Sequence, residues 1–143
     1  MSLFDLFRKK PKTVLDALNE NLIFKQQKLI YDSMCLMCED GVDADELPNG
    51  IGDFGMSPNN PIPCKTVFGS TSYLGRLRDL DGIKLVYDRI GSFSSDVTSQ
   101  PVDGYKISHP EGMEFGTIYI SPYQKRTSAK APMGFKLESL LFG

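Results

Sequence analysis

The chain has 143 residues, 41% of them hydrophobic and 24% charged, with a formal net charge of −2. That length and balance suit one ordinary globular domain and argue against wholesale disorder, collagen-like repeats and coiled-coil repeats alike. The near-zero charge gives no bulk electrostatic reason to bind nucleic acid, and no apolar run approaches the roughly 20 residues of a membrane span.

The charges are nonetheless segregated. Arg8, Lys9, Lys10 and Lys12 make the N-terminus basic, and Glu39, Asp40, Asp43, Asp45, Glu46 and Asp53 lie in a stretch without a single base. Lys125, Arg126, Lys130 and Lys136 lie in a stretch without an acid. Three cysteines, an odd number, and the absence of a signal-peptide pattern lead to the expectation of a reducing compartment and a cytoplasmic protein.

In chain order, SLFDLFRKKPK places Leu3, Phe4, Leu6 and Phe7 in a turn or two ahead of a basic flank and Pro11. Residues 1–12 therefore read as a short amphipathic segment, packed on its own domain or frayed, with contact to an anionic membrane surface as the alternative. Thr13 with Asp16 three positions later has the spacing of a capping box. From there Val14, Leu18, Leu22, Ile23, Gln27, Ile30, Met34 and Met37 recur at steps of three and four as far as Gly41. The pattern predicts one long helix over residues 14–38, or two joined near 19–21, with the apolar stripe as core.

Residues 39–63 carry four glycines and four prolines and read as a long acidic loop. Beyond it the pattern is β-rich. Cys64 to Phe68 is a strand candidate, Ser70 to Leu77 a helical turn capped by Ser70, Thr71 or Ser72, and Asp81-Gly82 a turn into a strand over 83–90. Strands at 103–109 and 113–120 flank a His-Pro-Glu-Gly turn, and SFSSDVTSQ is a loop. Short connections argue for an antiparallel meander packed against one or two N-terminal helices, giving an α+β class and a single domain over 1–143. No internal repeat is read.

Few residue patterns carry chemistry. Cys35 and Cys38, three apart on a helix, share a face that can hold a soft metal, and Cys64 with His109 are the only other Cys or His in the chain. Together they are one possible Cys3His zinc set. The simpler expectation is that Cys35 and Cys38 are small buried apolar side chains near a helix end, where the helix dipole disfavours a thiolate and hence a redox role. Cys64 as nucleophile with His109 as base has no local signature, and a histidine satisfied at the core's edge is the simpler reading.

The remaining patterns are weaker still. GDFG at 52–55 lacks every other protein-kinase motif. The acidic DGVDADE lacks the EF-hand's Gly and Glu offsets, so it reads as a solvated loop. FGSTSYLGR reads as a helix cap before it reads as a phosphate site, and SPYQKRTSAKAP as a solvated loop before an RNA strip.

NPIPCKTVFGSTSYLGRLRDLDG, followed by IKLVYDRIGS, resembles a segment of small uncharacterised bacterial cytoplasmic proteins, and MSLFDLFRKK resembles the N-termini of such chains. The resemblance implies a bacterial origin and a compact α+β domain. It assigns no activity and carries over no functional residue.

With no nucleophile set or cofactor loop, the sequence points to a non-enzymatic protein-interaction or regulatory module without a cofactor, its partner another protein. Immunity proteins, which block a toxin by surface complementarity, are one form of it, since an acidic loop can steer a basic partner. The alternative is a small zinc-binding protein or zinc-dependent enzyme using Cys35, Cys38, Cys64 and His109.

Overall fold

A computed structural model describes residues 13–139. By contacts the chain divides into two compact units, one ending at Met34 and one beginning at Cys35. Helix α1, Val14–Leu36, opens with the capping box that the sequence predicts. The Asp16 amide donates to Thr13 Oγ1 at 3.1 Å and the Thr13 amide to Asp16 Oδ2 at 3.4 Å. It is one uninterrupted helix, and hydrogen-bonded turns carry the chain from Leu36 to Gly41. The expected burial does not follow. Val14, Leu15, Leu18, Leu22, Ile23 and Ile30 are all exposed, as are the other large apolar side chains of α1 apart from Met34.

In the second unit β1 (Ile62–Pro63), α2 (Thr66–Arg76) and β2 (Leu77–Asp79) precede β3 (Val86–Phe93), β4 (Val102–Ser108), β5 (Glu114–Ser121) and β6 (Phe135–Leu137). The meander is present: β3, β4 and β5 pair antiparallel in sequence order. The sheet is mixed, because β1 adds to the far edge of β5 in parallel, with Ile62 opposite Ile120. β2 and β6 form a separate antiparallel pair. Ile107, Ile118 and Ile120 point from the sheet into a core shared with Tyr73 and Leu74 of α2, so α2 supplies the helical cover.

Two local readings are corrected. Cys64 to Phe68 is not a strand, and the helix begins four residues ahead of Ser70, at Thr66, with no side-chain cap. The cause lies far away in sequence. The amides of Cys64 and Thr66 donate to the carbonyls of Ser121 and Pro122, and the Cys64 carbonyl accepts from the Gln124 amide. Those bonds hold the segment at the sheet edge and then turn it into α2 through Thr66, which adopts φ 62°. The strand expected at 83–90 runs from 86 to 93 because Asp79 Oδ1 accepts from the amides of both Asp81 and Ile83 at 2.9 Å. That carboxylate keeps the preceding residues in a turn.

Candidate functional site

The second unit's long loops meet each other. The acidic loop runs against the basic segment after β5, and the oppositely charged stretches pair. Lys130 Nζ sits 2.7 Å from Glu46, Arg126 reaches Asp45 at 3.3 Å and Asp43 at 3.6 Å. Backbone bonds close the seam: the Lys125 amide donates to the Val42 carbonyl at 2.9 Å, and Ser128 Oγ donates to the Asp45 carbonyl at 2.7 Å. Buried Gln124 bridges the two, accepting from the Val42 amide at 2.7 Å and donating to Ser121 Oγ at 3.0 Å. Gly41 is required here by close approach. A Cβ at that position would stand 2.4 Å from Gln124 Cα and the Tyr123 carbonyl.

The seam also absorbs two motifs. Phe54 of GDFG is buried in the core beneath the Lys130 ammonium, 5.0 Å from its ring centroid. The hydroxyls of FGSTSYLGR lie inside α2, where buried Ser70 donates to the Thr66 carbonyl at 3.4 Å. They cap no helix start.

The four Cys and His residues are dispersed. Cys35 is half-buried at the end of α1, and buried Cys38, one turn on, donates its thiol to the Pro122 carbonyl at 3.5 Å. Both line an open cleft of about 430 Å³ with Glu39, Lys65 and Lys125. Cys64 is fully buried, and burial pushes its thiol pKa up to about 12, against weaker opposing hydrogen bonds from Ser70 and Ser128. A thiol held protonated in this way is a poor nucleophile at neutral pH.

His109 closes the β4–β5 turn. Its Nδ1 accepts from the Glu111 amide at 3.1 Å, and its own amide donates to the Met113 carbonyl at 2.7 Å. Cys64 bonds to Ser121 and His109 to Met113, at opposite ends of β5. Eight residues of strand at about 3.3 Å each put roughly 25 Å between those anchor points. Cys64 and His109 therefore share neither a catalytic pair nor a metal. Among the described residues no group of three or more His, Cys, Asp or Glu side chains is placed to hold a metal ion. None of the three cysteines is joined in a disulfide.

The feature that sequence reasoning missed is on α1. Leu15, Leu22, Leu29 and Leu36 recur every seven residues, and Leu22-Ile23-Phe24 is echoed by Leu29-Ile30-Tyr31, a short internal repeat. These four leucines are 56–68% exposed. A strict seven-residue repeat drifts only about 20° per heptad around a helix, so they form one nearly straight stripe. The spacing was present in the sequence but was merged into a general three-and-four pattern. Among the described residues no helix is long and apolar enough to cross a membrane. Comparison with protein-family models, with curated proteins and with solved structures finds no match.

Proposed function

We propose that this chain is a non-enzymatic protein-interaction module that engages a polypeptide partner through helix α1. The observation that carries the reading is the exposure of the apolar side chains of α1, from Tyr31 at 44% to Val14 at 78%. Exposed apolar area of this extent on one element is the mark of an interaction surface. The acidic loop supports a toxin-blocking form less than its sequence did, because Asp43, Asp45 and Glu46 already pair with Arg126 and Lys130. A reducing, cytoplasmic setting fits three cysteines outside any disulfide.

The test is cross-linking of the full chain in its source cell through Lys25 and Lys28, both exposed on α1. Cross-links to another polypeptide, of any identity, are expected. Absence of inter-chain cross-links, together with a small molecule retained in native mass spectrometry, overturns the reading.

A further inference from the structure

We infer that the partner of α1 is a second copy of the same helix, so that the chain self-associates through its leucine stripe. This inference rests on the interaction-module reading and names the partner. A row of leucines at seven-residue spacing is matched by an α-helix that carries the same period, since supercoiling keeps a 3.5-residue seam facing its partner along the whole contact. A second α1 supplies that period automatically. Pairing about a two-fold axis is self-complementary, each stripe burying its counterpart.

The flanking residues accept that arrangement. With Leu22, Leu29 and Leu36 as one core position of the heptad, the other core position falls on Gln26 and Ser33, which are polar but uncharged. Lys25 and Asp32 then flank the seam, so no like charges are forced into it. Ile23 and Ile30 widen the seam on its other side, while Phe24 and Tyr31 fall on the outer face of the pair.

The area is of the right size. Leu15, Leu18, Leu22, Leu29 and Leu36 with Ile23 and Ile30 are all more than half exposed. At on the order of 100 Å² each, covering them removes roughly 700 Å² per partner from water. A standard stable interface buries about 800 Å² per partner. α1 has 23 residues and spans about 35 Å, enough for three heptads.

Sedimentation equilibrium of the full chain from about 1 to 100 µM is the test, with concentrations set to bracket a micromolar association. The expected result is a mass rising towards twice 15.9 kDa, and a Leu22→Asp/Leu29→Asp double variant at least 100-fold weaker in association. Because that variant can also lose the helix, mixing of two differently labelled wild-type chains provides a second measure, and exchange of label between them is expected. A wild-type monomer at 100 µM, or a dimer that survives the double substitution, overturns the inference. So does a monomer that sediments with anionic phospholipid vesicles through the same leucines, which would assign the face to a lipid surface. A monomer that still cross-links in the cell to a different protein sinks the second-copy inference alone and leaves the interaction-module reading standing.

Discussion

Helix α1 and the sheet unit use the same aliphatic side chains in opposite ways. Ile107, Ile118 and Ile120 on β4 and β5 are no more than 1% exposed, whereas Ile23 and Ile30 on α1 are 52% and 61% exposed. Composition does not separate the two regions; partnership does. The strands close on α2, on Phe54 and on Phe135 within their own unit. The helix leaves its apolar side chains exposed, and in proteins most helical stability comes from packing of such a face. Internal contacts thus account for the sheet unit, while under the proposed reading α1 gains its packing from a partner.

Truncating one side chain in each region tests whether the two differ in this way. Ile107→Ala empties a site with no solvent access and should cost about 2–5 kcal/mol in urea denaturation followed by tyrosine fluorescence. Leu22→Ala, measured below the self-association range, should change the same transition by less than about 0.5 kcal/mol. Comparable losses from the two substitutions would mean that α1 is part of the folding core after all.

That outcome bears on what the sequence made legible. The capping box at Thr13 and Asp16, the two strands at 102–108 and 114–121, and the turn at His109 came through within about a residue, because each is a local pattern of caps, alternation or turn residues. What failed was non-local. The periodicity of α1 marks an apolar face but not what covers it, so exposure and burial look alike in sequence. The start of α2 depends on bonds to residues 121–124, almost sixty positions away. The three-residue strands β2 and β6 are too short to show any period. Charge segregation was legible, and its reading as a surface for a basic partner overlooked the chain's own Arg126 and Lys130. The stripe was legible, but its exposure was not.

Alkaline pH probes the buried core of the sheet unit. An unfolded cysteine titrates near its ordinary value of about 8.5, while burial holds Cys64 protonated to about 12 in the folded chain. Between those values the unfolded state has released a proton that the folded state retains. Stability is therefore complete below about pH 8.5 and falls as pH rises, by up to about 1.4 kcal/mol per pH unit for this thiol. Tyr73, also buried and with its pKa raised by desolvation, adds a loss of the same sign at higher pH. Urea midpoints at pH 7.5, 9, 10 and 11 should decline from pH 9 onward. Cys64→Ala should lower the midpoint at pH 7.5 but hold it flat to about pH 10, where tyrosine ionisation begins in the unfolded chain, so that its deficit against the wild-type chain shrinks as pH rises. An unchanged slope in the variant would remove Cys64 as the cause.

The smallest effect expected places the contrast between covered and open faces inside one helix. α2 contains Gly69 and Gly75. A Cβ at Gly69 would fall 2.3 Å from Thr127 Oγ1, the hydroxyl that accepts from the Lys65 amide at the helix start, so that face is closed by the loop after β5. A Cβ at Gly75 meets nothing within 4 Å. Glycine within a helix costs about 0.5–1 kcal/mol relative to alanine through the freedom it loses on folding. Gly75→Ala should therefore raise the stability of the sheet unit by that amount, read as a higher urea midpoint at unchanged slope. Because Gly75 sits one residue before the last turn ends at Arg76, the gain should fall in the lower half of that range. A loss of stability in Gly75→Ala would show that this end of α2 is covered by contacts of its own.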